Sequence, residues 1–183
     1  MKHRVTDPLR LDVLAFASDG DELAGEWPGA DLERLAEGQT LPQDALPSAV
    51  RWRLQGQRSP VAGGEAEIWL HVQAGTRVWL TCQRCMQPYE LDLAVDRRLR
   101  FVRDEAQAET LDAESEDDVL ALPRWLDARE LVEDEMLLAL PLVPRHELCP
   151  QPLPMSAEVS ADEAVPDRPN PFAVLQSLKS GRK

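Results

Sequence analysis

Between residues 50 and 101, apolar and polar side chains alternate in four runs, and this alternation limits the possible folds more than any other feature of the sequence. The runs cover 50–55, 65–72, 77–82 and 89–101. Successive side chains of a β-strand point to opposite faces, so each run predicts a strand with one buried face. Together they predict an antiparallel sheet built from residues 49 to 102.

The letters "QAG" separate the second run from the third. A loop of three residues with Gly75 in the left-handed conformation would join two strands in a hairpin. That register would place Trp69 opposite Trp79 on the nominally polar face. Two paired tryptophans on that face predict that it is covered or contacts a partner.

Segments around the sheet carry helix and strand signals. Asp127 with Glu130 three residues later predicts the start of a helix over 127–140, which Pro141 ends. We expect this helix to pack on the sheet face that contains Val72, Leu80 and Leu91. Residues 9–16 resemble a first strand, and 29–38 a short helix capped by Asp31.

The predicted fold class is therefore α+β: an antiparallel sheet with a packed helix, a short C-terminal helix, and acidic and proline-rich loops. Residues 1–143 would form the core domain, and 144–183 a proline-rich, loosely ordered tail. Phe172 and Leu175 lie at helical spacing near the end of that tail, where they would pack or contact a partner.

The chain is strongly acidic, with 33 acidic and 20 basic residues and a net charge of −13. Free nucleic-acid binding draws most of its affinity from neutralised phosphates, so this charge opposes it. The run 104–118 holds eight acids and no base, which predicts a solvated, mobile loop. Four arginines precede it, and the favoured interpretation is an exposed strand face paired with nearby acids, with phosphate contact as the alternative: Arg97, Arg98, Arg100 and Arg103.

Cys82 and Cys85 form a Cys-x-x-Cys pair in "TCQRCMQPY", between two predicted strands. His146 and Cys149 repeat the gap of two residues, so the four could form a Cys3His zinc site. Such a site would order a weak proline-rich segment. Unliganded thiols, with Cys82 as a small core residue, remain an alternative. Redox chemistry is disfavoured because the pair does not open a helix.

The sequence contains none of the common short motifs of phosphate-binding or catalytic sites. It lacks a glycine-rich phosphate loop, a Gly-x-Ser-x-Gly and a His-Glu-x-x-His. The consecutive acids Glu133, Asp134 and Glu135 would point around a helix axis, so they would not converge on a cation. We expect them to face solvent, where Glu133 and Asp134 could meet a basic partner. We expect no enzymatic activity and no small-molecule substrate. No apolar run is long enough to cross a bilayer, which predicts a cytoplasmic protein.

Three segments follow one another along the chain: "LTCQRCMQPYELDL", "LDARELVEDEMLLALPLVPRH" and "NPFAVLQSLK". In this order they resemble the YceD family, the bacterial large ribosomal RNA subunit accumulation proteins. The resemblance implies a role in the synthesis, processing or accumulation of 23S rRNA, with no established enzymatic activity. Many members carry a second Cys-x-x-Cys after the helix and are suspected of binding metal. This chain differs there, since it offers only His146 and Cys149.

The function expected from the sequence is a non-enzymatic factor for 23S rRNA accumulation. The acidic charge favours contact with the pre-50S particle or a large-subunit ribosomal protein, with rRNA bound directly or indirectly. One alternative is a zinc-stapled protein-interaction module without an RNA role. Another is a metal-dependent nuclease, which would need convergent carboxylates that the sequence does not indicate.

Overall fold

The computed structural model describes residues 6–150. Two short 3-10 turns, Pro8–Arg10 and Gly29–Asp31, accompany the main elements. In chain order these are α1 (Val13–Asp19), β1 (Glu22–Trp27), α2 (Glu33–Glu37), β2 (Val50–Ser59), β3 (Glu67–Thr81), β4 (Pro88–Val102), α3 (Glu105–Asp112), β5 (Asp118–Ala121) and α4 (Ala128–Leu138).

The five strands form one sheet in the order β1-β2-β3-β4-β5. All neighbouring pairs are antiparallel except β4 and β5, which are parallel. Strands β3 and β4 pair over residues 68–81 and 88–101 and carry the Cys-x-x-Cys connection at one end. The predicted α+β class is confirmed.

The predicted hairpin at "QAG" is wrong, because β3 runs unbroken through Gly75. On one side Gly75 lies opposite Arg51 of β2, and on the other opposite Ala94 of β4. Pairing on both sides satisfies the backbone groups of an extended chain, and this outweighs the tendency of glycine to turn. Trp69 consequently lies opposite Arg100 instead of Trp79.

Two other predicted segments differ from the structure. Residues 9–16 form a 3-10 turn and the start of α1, because Asp12 accepts a hydrogen bond from the Ala15 N–H and caps a helix. The acidic run is ordered as α3 and β5, with Asp104 as the cap of α3. Ala108 of α3 is buried in a small cluster with Val102 and Val119, which anchors the run to the sheet.

The predicted short helix over 29–38 begins instead as a 3-10 turn and continues as α2. Asp31 does not cap it, since the residue before α2 is Leu32, which makes no side-chain capping hydrogen bond. The buried residues Leu32 and Leu35 tie this segment to the main core.

Helices α1 and α4 cover one face of the sheet. Asp127 caps α4 by accepting hydrogen bonds from the N–H groups of Arg129 and Glu130, in agreement with the predicted start. Val132 and Met136 of α4 are fully buried in the same core as Val72 and Leu80. This packing fixes the position of the chain after α4, which leads to the cysteine knuckle. Over residues 6–150 no helix has the length and apolar character needed to cross a membrane.

Gly56 of β2 lies where α1 approaches the sheet most closely. A Cβ at this position would meet the Ala17 Cα and the Phe16 carbonyl oxygen at 2.7 Å. Both atoms belong to the backbone, so neither can rotate away. We expect Gly56→Ala to lower the free energy of unfolding by about 1–3 kcal/mol, measured by urea denaturation.

Gly64→Ala is the matched control, since a Cβ there would meet the Val61 side chain at an ordinary 3.5 Å. It should leave stability almost unchanged. Equal effects at Gly56 and Gly64 would contradict the close approach of α1. The predicted tail from residue 151 onward, including its short helix, lies outside the described residues, and the domain boundary at 143 stays a prediction.

Candidate metal centre

Cys82 and Cys85 lie in a tight knuckle that joins β3 to β4. The Cys82 N–H donates to the Gln87 carbonyl, and the Met86 N–H donates to the Cys82 carbonyl. Met86 has a φ of 58°, a left-handed conformation that closes the turn. The knuckle thereby directs both sulfurs to the same side.

The second half of the cluster comes from the chain that follows α4. The Gln83 N–H donates to the Pro144 carbonyl at 2.8 Å, which holds this segment against the knuckle. The ring of His146 packs against Tyr89 with 4.9 Å between ring centroids. His146 and Cys149 are thus brought to the two cysteines from more than sixty positions away.

The four predicted ligands converge. One ligand atom from each of Cys82, Cys85, His146 and Cys149 lies within 4.8 Å of the other three. The Cys82 and Cys149 sulfurs are 3.9 Å apart, and the Cys85 sulfur is 3.4 Å from Nδ1 of His146. The described residues contain no other converging group of three or more histidine, cysteine or acidic side chains of this kind.

These spacings fit a tetrahedral ion. With Zn–S bonds of about 2.3 Å and a Zn–N bond of about 2.0 Å, two sulfurs would lie about 3.8 Å apart, and a sulfur and a nitrogen about 3.5 Å apart. The observed 3.9 Å and 3.4 Å are close to both values. The donor set of three sulfurs and one imidazole is also one that structural zinc sites use.

The surroundings of Cys82 favour its thiolate form. Burial of the sulfur works to raise its pKa, but backbone N–H groups of Cys85, His146 and Arg84 point toward it and lower the pKa to about 5. A metal ligand must be deprotonated, so Cys82 is ready to bind at neutral pH. Burial and the neighbouring sulfurs of Cys149 and Cys82 raise the pKa of Cys85, a repulsion that a bound cation would relieve.

Arg84 connects the two halves of the cluster. Its Nε donates to the Cys149 sulfur at 3.0 Å, and its Nη2 donates to the carbonyl oxygens of His146 and Glu147. Three thiolates and one Zn²⁺ carry a net charge of −1, which the guanidinium offsets. Its place between the two cysteines was the available sequence signal.

The four candidate arginines do not form one free basic surface. Arg97 pairs with Asp118 and lies 3.6 Å from Glu135, Arg100 pairs with Glu67, and Arg103 pairs with Glu65. Arg98 lies over the Trp69 ring, with 4.8 Å to the ring centroid. Each therefore has a partner within the chain, and their contact with phosphate stays a prediction.

The predicted partner residues lie in different places. Trp69 is buried, and its indole N–H donates to the Glu67 carboxylate. Trp79 is half-buried near the C-terminal end of β3. Phe172 and Leu175 fall outside the described residues.

The expected exposure of the α4 acids is wrong for Glu133 and Glu135, both of which are buried. The Glu133 carboxylate accepts from the Leu35 N–H and from two nitrogens of Arg34. Asp134 accepts from a third nitrogen of Arg34 and stays half-exposed. The helix α2 thus occupies the face that the sequence had suggested was solvated.

Comparison with known proteins adds two findings. The family model described as "Large ribosomal RNA subunit accumulation protein YceD" matches residues 70–179. A protein of that name from Haemophilus influenzae is 33% identical over 186 aligned positions, covering 96% of this chain and 98% of that protein. No solved structure matches the chain.

Proposed function

Since the chain belongs to the YceD family of large ribosomal RNA subunit accumulation proteins, we propose that it is a cytoplasmic, non-enzymatic factor for 23S rRNA accumulation. It acts through contacts with the pre-50S particle or a large-subunit ribosomal protein. Family membership is the observation that carries the role in rRNA accumulation. The proposed contact through protein is inferred from the charges of this chain.

Two features support contact through protein in preference to direct RNA binding. The net charge of −13 repels phosphate, and each of the four candidate arginines already has a partner in the chain. Ribosomal proteins are commonly basic, so an acidic factor complements them electrostatically. Direct contact with rRNA is the secondary possibility.

We further propose a structural zinc ion held by Cys82, Cys85, His146 and Cys149. When bound, zinc would supply a cross-link between the knuckle and the chain after α4. The chain's own groups already prepare this position: the Gln83 N–H holds Pro144, and Arg84 holds Cys149. The alternative to a factor for rRNA accumulation is a zinc-stapled protein-interaction module without an RNA role.

Isolation of tagged protein from a bacterial lysate, with and without ribonuclease, tests the proposed mode of contact. We expect large-subunit ribosomal proteins to remain after ribonuclease treatment, identified by mass spectrometry. Their loss together with recovery of precursor 23S RNA in the untreated half would favour direct RNA binding. Absence of both would favour the alternative without an RNA role.

Arg84→Ala should weaken zinc binding by about 10–100-fold, because it removes the donor to Cys149 and the charge that offsets the thiolates. Competition with a chromogenic chelator measures this affinity. Arg58→Ala, a change at an exposed arginine of β2, should have no effect. Equal affinities for the wild type and Arg84→Ala would contradict the role given to this guanidinium.

A further inference from the structure

Strand β4 is paired along the whole of one side but only part of the other. Strand β3 pairs with residues 88–101, whereas β5 pairs only with 99–102. No other strand of the described residues pairs with the outer edge between 88 and 98. At about 3.3 Å a residue, this edge extends for about 36 Å. An unpaired edge of such length offers backbone N–H and C=O groups to another chain.

A groove lies beside this edge on the α4 side. It has a volume of about 330 Å³ and is lined by Ala94 and Val95 of β4 and by Glu135, Leu138 and Ala139 near the end of α4. The Leu138 side chain is 78% exposed. Asp96 and Arg97 complete the lining, so the groove combines the exposed Leu138 side chain with charged groups.

Exposed apolar residues continue from the groove toward the knuckle. Leu142 and Val143 are exposed, and the next residue, Pro144, is held at the knuckle by the Gln83 N–H. The segment therefore runs from the middle of β4 to its first residues. Leu142 and Val143 thus expose apolar side chains in the stretch that connects the groove to the knuckle.

The opposite face of the edge carries three acids, Glu90, Asp92 and Asp96, whose even positions in β4 place their side chains together. Arg98 ends the same face and lies over the Trp69 ring. Arg77 pairs with Glu90 and His71 with Asp96, while Asp92 has no ion-pair partner in the part of the chain described. Lysine, which often protects exposed strand edges, is absent from residues 6–150.

We propose that the edge of β4 between residues 88 and 98 binds an extended basic segment of a partner protein as an added strand. Alternate side chains of that segment would be apolar, toward Val95 and Leu138, and basic, toward Asp92 and its neighbours. In strand addition, backbone hydrogen bonds supply affinity and the alternate side chains supply specificity. A second copy of this chain fits less well, because its charge of −13 would repel. The inference rests on the proposed function, for which it specifies the contact surface.

A synthetic peptide of alternating lysine and valine provides the probe. We expect it to bind the full-length protein and to slow amide hydrogen exchange within residues 88–98. A peptide of alternating glutamate and valine should not bind. Slowed exchange confined to another part of the chain, or equal binding of both peptides, would overturn the proposal.

Two variants with matched controls locate the surface. Asp92→Lys and Leu138→Asp should each weaken binding of the lysine peptide by at least about tenfold. Glu116→Lys makes the same charge change on an exposed acid in the α3–β5 loop, and Leu46→Asp alters an equally exposed leucine. These two should bind like the wild type. Equal losses in the test and control variants would overturn the proposal, whereas the role in rRNA accumulation is measured separately in cells.

Discussion

Replacing Cys82 with serine is expected to abolish stoichiometric zinc binding. Cys82 is fully buried and receives three backbone N–H groups, so it is the ligand most completely prepared by the fold. A serine hydroxyl stays protonated at neutral pH and cannot replace a thiolate. We expect the zinc affinity to fall by more than about 100-fold. Elemental analysis of the purified protein gives the zinc content per chain.

The same substitution should loosen one region and spare the rest. Amide exchange should accelerate in the knuckle and in residues 144–150, while the sheet core around Leu54 and Leu70 stays protected. Gln83→Ser changes an exposed residue of the same knuckle that is not a ligand, and it should retain zinc. Equal zinc contents in the wild type and Cys82→Ser would show that these four residues do not form the site.

Removing the Glu133 side chain is expected to destabilise the fold by about 2–4 kcal/mol. Glu133→Ala would leave the Leu35 N–H without its acceptor and would break two bonds to Arg34. This loss of stability is smaller than the largest losses seen when one partner of a buried ion pair is removed. The reason is that the Arg34 side chain is 49% exposed, so water can solvate it. Urea denaturation measures the change.

Asp134→Ala serves as the control at the next position. Asp134 contacts the same arginine, but its side chain is half-exposed and receives a single bond. The substitution should cost about 0–1 kcal/mol. If Glu133→Ala cost no more than Asp134→Ala, Glu133 would be a surface residue and the packing of α2 on α4 would need revision.

The alternation of side chains was sufficient to predict the sheet but not the path of its longest strand. Strands β2 and β4 and the helix α4 follow the predicted segments, because their patterns and caps are local. The "QAG" segment has the composition of a turn, and only pairing on both sides keeps it extended. That pairing depends on residues 51 and 94, which no local pattern connects to Gly75. Likewise, the acidic run folds because Ala108 reaches Val102 and Val119.

The candidate metal site could be predicted from the spacing of its residues. Cys82 and Cys85 are separated by two residues, as are His146 and Cys149, and this repeated gap is typical of paired metal ligands. The role of Arg84 depends on the geometry of the knuckle and could not be read in this way. Charge alone was misleading for Glu133, since an acid among three consecutive acids looks solvated until its arginine partner from α2 is known.

The ratio of 23S to 16S rRNA tests the central claim most directly. It would be measured in bacteria that lack their own copy of this chain and are complemented with the wild type or with an empty vector. We expect the ratio to fall without the chain and to recover with the wild type. A ratio unchanged by loss of the chain, at normal growth rate and with a normal large-subunit peak, would contradict the proposed function.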